Sequence, residues 1–307
     1  MLRIVFHRLL QTIVVVFVLV SFTFVAVRLV PGNPFVSDKA LPEHLQESVY
    51  KSFGLNGTWG EQYVIWWRNV LTKGDFGPST SLFGRSVNEI ITQSFPTSLL
   101  LGLVAMTIAL LIGIPSGVLA ALRKNSMIDY GSMIFAMAGI CIPGFVLGPL
   151  LQLWVARHSN FFNVAGWESP ADILLPAITL GVGVAAYVAR LTRGGMLDIL
   201  SQDFIRTARA KGVPTFTILR RHALRPALLP TVTFLGPAFA AIITGSFVVE
   251  TIFMVPGMGQ HFVTAVTSQD YFLLQAIVLF YGLLIGGANF LVDVAQAAMN
   301  PRLRDAN

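Results

Sequence analysis

Few residues in this chain are of a type and spacing able to do chemistry, and their placement excludes more reactions than it permits. No Gly-x-x-x-x-Gly-Lys-[Ser/Thr] sequence occurs, nor any Gly-Lys pair, so nucleotide phosphates cannot be cradled by that route. Ser246, in Thr244-Gly245-Ser246-Phe247, sits in an apolar run, and no histidine or lysine shares such a run to activate it. All 5 histidines (His7, His44, His158, His222 and His261) stand outside the apolar runs, and no His-Glu-x-x-His occurs. The single cysteine, Cys141, excludes an intrachain disulfide and a cysteine-based metal site; its apolar surroundings predict a buried, inert thiol. An enzyme acting within the membrane is therefore disfavoured. No catalytic residue, metal site or cofactor of the chain's own is expected.

Two acids lie at the ends of apolar runs, where an ionisable group is a functional candidate by default. Glu250 could meet a substrate's amino terminus or brace the loop Pro256–Gln260. Asp293 could meet water or a nearby arginine. Bracing of a pore or gate is the expectation for both.

The most informative segment is Ser201–Arg225. Ser201 is placed to cap a helix whose first turn holds Asp203, where the helix dipole favours an acid. Phe204, Ile205 and Ala208 give that helix an apolar side, and Arg206, Arg209 and Lys211 crowd its C-terminal end. Gly212 supplies the residue after the cap, and Pro214 blocks continuation. A second short helix, about Thr215 to Leu224, follows. Such a pair can lie on anionic lipid or dock a cytoplasmic protein, and both readings stand.

Membrane helices must position these residues. Apolar residues make up 54% and charged residues 12% of the chain, against roughly 25% charged in a soluble domain. The net charge of +6 does not indicate nucleic acid, because the basic residues flank apolar runs instead of forming a basic face. A span needs about 20 apolar residues. Six stretches qualify: Leu9–Val27, Thr97–Leu122, Tyr130–Ala156, Ile173–Ala189, Pro226–Val249 and Tyr271–Val292. The first is longer than the roughly 7–15 residues of a signal h-region and no Ala-x-Ala-like site follows, so an uncleaved span is expected. With the N-terminus inside, the cytoplasmic segments hold 14 of the 21 basic residues, which predicts both termini in the cytoplasm.

The predicted fold is an all-α integral membrane protein with six transmembrane helices. Residues 1–30 hold the N-terminal helix, 31–95 an extracytoplasmic segment, 96–300 a core of five helices with a cytoplasmic loop at 190–225, and 301–307 a cytoplasmic tail. The external segment contains Pro31-Gly32-Asn33-Pro34, an amphipathic stretch around Glu43–Phe53, and Trp66-Trp67. In the turn Gly74–Ser79, Asp75 can accept from backbone amides. This segment could touch an external partner, shield a pore mouth, or lie among lipid headgroups through its tryptophans. A proton-coupled secondary transporter is the rival of another class, but the spans as drawn hold no acid, base or histidine between their ends.

The segment Asp203–Pro230 also resembles a known family. Binding-protein-dependent ABC importers carry a cytoplasmic loop of the form E-A-A-x3-G-x9-I-x-L-P. With Gly212 setting the register, Arg206-Thr207-Ala208 stand at E-A-A, His222 at Ile, Leu224 at Leu and Arg225 at Pro, so Ala208, Gly212 and Leu224 agree. The peptide-importer branch has its own version, and D-F-I-R-T-A-R-A-K-G (203–212) followed by R-H-A-L-x-P-A-L-L-P (221–230) looks very like it; Thr207 and Ala210 match within that run. The resemblance covers essentially the whole chain, through Pro31–Pro34, Gly74–Ser79, Gly236–Phe239, Glu250–Phe253 and Pro256–Gln260. Gln269-Asp270-Tyr271 departs from the usual R-D-Y, and Asn300-Pro301-Arg302 from D-P-R.

The resemblance implies a type I importer permease core of the oligopeptide permease kind. It implies pairing with a homologous second permease subunit and with two cytoplasmic ATP-binding subunits that use ATP and Mg. It further implies an extracytoplasmic peptide-binding protein and translocation of oligopeptides inward across the bacterial cytoplasmic membrane. Dipeptide, murein peptide, glutathione or nickel is the alternative cargo. By the same analogy Ser201–Lys211 is the coupling helix.

Overall fold

The computed structural model describes residues 2–31, 50–51, 53–159 and 161–299. Gly32-Asn33-Pro34, most of the Glu43–Phe53 stretch and Asn300-Pro301-Arg302 lie outside the described residues. In chain order the helices are α1 (Leu2–Leu29), α2 (Trp59–Lys73), α3 (Val87–Leu122), α4 (Met127–Cys141) and α5 (Gly144–Leu151), the last prolonged by a π turn, Gln152–Ala156. A 3₁₀ turn, Pro170–Ile173, leads into α6 (Leu174–Leu200), followed by α7 (Asp203–Ala210) and α8 (Thr215–Thr217). After a π turn, Ile218–Ala223, come α9 (Leu224–Ala227), α10 (Leu229–Phe253), α11 (Met258–Thr267) and α12 (Tyr271–Met299). Among the described residues the only β feature is an isolated bridge between Pro78 and Ser86.

Helices α1, α3, α6, α10 and α12 are each long and apolar enough to cross a membrane. The third predicted span is broken: α4 and α5 meet at 101°, and only together do they make a sixth crossing. The bend falls at Ile142-Pro143, where proline lacks the amide that would continue the ladder. The chain is a multi-pass membrane protein.

Several helices overrun the predicted spans, because polar residues continue a helix past the apolar core. Asp129 therefore lies within α4, Arg190 and Arg193 within α6, and Glu250 within α10. Each of these groups lies just beyond the end of its predicted span.

Helices α3 and α6 pack through small residues four apart: Ala105, Ala109, Gly113 and Gly117 on one, Gly181, Ala185 and Ala189 on the other. A Cβ at Gly117 would stand 2.4 Å from the Ala189 carbonyl oxygen, and one at Gly113 2.6 Å from that of Ala185. Only glycine allows backbones this near, which is how membrane helices gain dispersion without a hydrophobic drive between them. Helix α12 runs antiparallel to α1. Arg28 lies 4.8 Å over the Tyr271 ring at one end, Val16 packs at Gly282, and Arg8 pairs with Asp293 at 2.9 Å towards the other.

One of the three open readings of the external segment loses support here, and the expectation for Cys141 fails. Trp66 does not reach outward to headgroups: it is 3% exposed, packs with Val16, Val20 and Leu279, and donates to the Phe76 carbonyl at 3.2 Å. Its partner Trp67 lies against Phe17 of α1, 5.7 Å between ring centres. Helix α2 therefore clasps α1 and α12 through its aromatic face. Cys141 is exposed instead of buried, because α4 meets α6 through Asp129 and Gly139, and two residues past Gly139 the helix turns its side chain away from that contact.

Candidate functional site

The α6–α10 connection is a compact platform. Ser201 does not cap α7. Its backbone is still helical (φ −83°, ψ −13°), ending α6, and its hydroxyl donates back to the Asp198 carbonyl at 2.8 Å. The extended geometry an N-cap requires falls one residue later, at Gln202 (φ −71°, ψ 151°), which makes no side-chain cap bond. Asp203 still occupies the first turn. The stop at the other end forms as the residues dictate: Gly212 is left-handed (φ 75°), its amide donates to Arg209 at 2.9 Å, and the Val213 amide donates to Ala208 at 3.2 Å. This is the paired closure of a Schellman motif.

One side of α7 anchors it. Ile205 is fully buried against Ala121, Met196, Ile218, Ala223 and Ala227, worth about 1.5–3 kcal/mol for such a side chain. Ala208 and Val213 extend that contact. The opposite side is free of the chain: Phe204, Arg206, Thr207, Arg209, Ala210, Lys211 and Gly212 are exposed, as is His222, while Leu224 is half-buried. The Asp203–Arg206 pair, 3.5 Å apart and open to solvent, adds little stability.

The second helix differs from its expected form. The π turn Ile218–Ala223 interrupts it, and helical structure continues past Leu224 to Ala227. Ile218 and Ala223, five apart, are both buried, and a π turn brings that spacing onto one face. Phe216 is left 72% exposed beside this arrangement, beyond any periodicity signal because α8 has only 3 residues. Exposed Phe204 and Phe216, with Arg206, Arg209, Lys211, Arg220 and Arg221 also exposed, give the platform aromatic and cationic groups with no apolar cover.

Glycine also fixes the platform to the bundle. A Cβ at Gly195 would lie 2.2 Å from the Ala227 carbonyl oxygen, so α6 and α9 touch backbone to backbone. Close by, the Thr192 and Thr231 hydroxyls share a buried hydrogen bond at 3.0 Å. Arg193, on the same stretch of α6, donates twice to Asp129 of α4, Nε to Oδ1 at 2.5 Å and Nη2 to Oδ2 at 2.7 Å. Asp129 is 2% exposed.

At the opposite end of α10, Glu250 is fully buried and turned into the loop Pro256–Gln260: its Oε2 accepts from the Gly259 amide at 2.7 Å. Ser98 of α3 accepts from the Met258 amide at 2.8 Å, tying the same loop to a second helix. A Cβ at Gly257 would fall 2.3 Å from Glu250 Oε2, so the loop needs glycine there to close over the acid. Asp270, absent from the expected site residues, is also fully buried: Oδ2 accepts from the Ser79 hydroxyl at 2.5 Å and from the Ser81 amide and hydroxyl at 3.0 and 2.8 Å. Its Oδ1 caps α12 through the Leu273 amide at 3.1 Å.

Between these ends, the broken span, α6 and α10 border an open groove of about 660 Å³. Pro143, Gly144, Thr179, Tyr187, Phe234 and Pro237 lie along it, and none of its lining residues is charged. Tyr187 and Phe234 stand 5.6 Å apart across α6 and α10. Among the described residues no group of three or more His, Cys, Asp or Glu could hold a metal ion.

Comparison with known proteins accords with a membrane platform of this kind. Residues 113–305 match the family described as the binding-protein-dependent transport system inner membrane component, and residues 1–110 match the N-terminal membrane component of such systems. The chain belongs to this family. It is 41% identical over 306 residues to an oligopeptide transport system permease protein of Haemophilus influenzae and 40% identical to one of Escherichia coli, covering 99% of this chain and 100% of each relative. A dipeptide transport system permease protein of Bacillus subtilis is 40% identical over 94% of both chains. Among solved structures, inward-facing MetNI methionine ABC transporter (TM-score 0.60, 18% identity) covers 69% of this chain and 97% of that one. An amino acid ABC transporter (TM-score 0.52, 19% identity) covers 69% and 94%. Those two likenesses show the fold alone.

In this transport-system membrane component the residues singled out from sequence fall into separate places. The Asp203–Leu224 set gathers on one platform, Glu250 sits at the far end of α10, and Asp293 pairs with Arg8 between α12 and α1. Sequence reasoning missed Asp129–Arg193 and Asp270–Ser79–Ser81. The spacing Ser126-x-x-Asp129 was a signal for a helix start, but it does not name the arginine 64 residues away.

Proposed function

We propose that this chain is a membrane-spanning permease subunit of an ATP-driven importer that carries oligopeptides inward across the bacterial cytoplasmic membrane. The observation that carries the reading is the α7 platform: a short helix anchored on one side by Ile205, stopped by Gly212, and presenting Phe204, basic side chains and Phe216 outward. A cleft in a partner ATPase would cover that face, and a homologous second permease would complete the pathway around the uncharged groove. Movement of the ATPase subunits on ATP binding, with Mg, would shift α7 and so α6, exposing the groove alternately to each side. The distribution of basic residues supports placing α7 and both termini in the cytoplasm. The loop held by Glu250 then faces outward, where a peptide-binding protein would deliver cargo.

An uncharged groove suits cargo of varied side chains, since no fixed charge selects among them. A dipeptide cargo is the second reading, favoured by the 40% identity to the Bacillus subtilis protein. The test is copurification of the assembled transporter with Phe204→Asp and Phe216→Asp. The proposal expects the ATPase subunits to be lost from the membrane subunits, and retention of both with normal uptake would overturn it.

A further inference from the structure

The two halves of the broken span α4–α5 share α6 as a neighbour, and the second half is also tied to the end of α10. On the inner side, α4 runs antiparallel to α6 and is held to it twice. Asp129 takes the bidentate contact of Arg193, and ten residues on, a Cβ at Gly139 would touch Val182 at 3.1 Å. On the other side, α5 turns to the end of α10. A Cβ at Gly148 would meet Phe253 at 3.2 Å, and Gln152 donates to the Ile252 carbonyl at 2.9 Å. The bend at Ile142-Pro143 lies between these attachments and on the wall of the groove.

We propose that Asp129 and Arg193 are positioning residues that make α4 move with α6 and the α7 platform, so that displacement of α7 is delivered to the bend and changes the groove. The proposal rests on the reading of α7 as the ATPase-docking helix. Arg193 stands two turns before the end of α6, and Ile205 of α7 packs against Met196 on the same stretch. The path is therefore short: α7 to α6 by chain continuity and by Ile205, α6 to α4 by the ion pair, α4 to the bend. The pair stays joined through the cycle. Asp129 is 2% exposed and also accepts from the Asn125 amide at 3.0 Å, and parting it from Arg193 would leave a buried charge uncompensated. The compliant element is the proline break, where no backbone hydrogen bond has to be lost.

The test uses the complete transporter, with its partner permease, ATPase subunits and binding protein, in proteoliposomes. Three variants are compared: Asp129→Asn, Arg193→Lys and the apolar double replacement Asp129→Leu/Arg193→Met. An apolar pair can restore packing without the directional contact. The expected result is that the double variant assembles with its ATPase subunits and hydrolyses ATP, while peptide delivered per ATP falls about tenfold or more. Arg193→Lys, which keeps the charge but loses the fork, should fall between it and the wild type. Wild-type peptide per ATP in the double variant overturns the proposal. So does loss of assembly in all three, because the pair would then hold the bundle together without transmitting. Failure of the docking reading shows separately, as ATPase subunits that stay bound when Phe204 and Phe216 are replaced.

Discussion

Gly212 carries a requirement that packing does not explain. Its φ is 75°, and nothing lies within 4 Å of a Cβ built on it, so any penalty for replacement is conformational. A β-branched residue in that region costs on the order of 1–3 kcal/mol, whereas asparagine tolerates it. Gly212→Val should therefore lower uptake and weaken ATPase copurification, and Gly212→Asn should leave both near wild type. Equal behaviour of the two would remove Gly212 from the coupling account. Asp270 makes the opposite case, a residue defined by its partners. Asp270→Ala strands the buried Ser79 hydroxyl, at about 1–3 kcal/mol, and removes the acceptor of the half-buried Ser81 amide and hydroxyl, which costs less. Thermal unfolding of the purified subunit should shift down by several degrees, and an unchanged midpoint would show that these bonds do not tie the α2–α3 turn to α12.

Helices meet in this bundle where glycine lets them. Gly195 faces the Ala227 carbonyl at 2.2 Å from a notional Cβ, while its neighbour Gly194 has open space. Gly195→Ala should force α6 off α9, at about 1–3 kcal/mol for overpacking, and reduce the assembled transporter. Gly194→Ala should not, and the two compared by yield and melting temperature test the crossing directly. At this scale the sequence was readable for the long apolar helices, because about 20 apolar residues have no other stable solvent. The stop after α7 was readable too, since Gly212 and Pro214 each have one local meaning. The start of α7 was not: whether Ser201 or Gln202 is the cap depends on where α6 finally ends. The 101° break in the third span was hidden because Pro143-Gly144 sits inside an unbroken apolar run, and a kinked helix and a broken one read alike there. In the sequence Arg193 is one of many basic residues flanking apolar runs, and its pairing with Asp129 follows only from the antiparallel placement of α4 and α6.

Among the described residues the groove wall carries no fixed charge, and the buried acids with their partners lie towards its two ends. Glu250 and Asp270 hold loops at one end, Asp129–Arg193 and the α7 platform occupy the other, and the groove between them is lined by uncharged residues. Under the proposed reading such a wall, with no carboxylate, basic or imidazole side chain, can pass cargo of varied character, and work enters through α7. The most direct measurement is uptake of a labelled oligopeptide into proteoliposomes holding the complete transporter, with ATP inside and binding protein outside. The account predicts uptake that requires ATP, survives collapse of the proton gradient, and is lost in Phe204→Asp/Phe216→Asp. Uptake driven by a proton gradient without ATP, or undiminished in that variant, would contradict it.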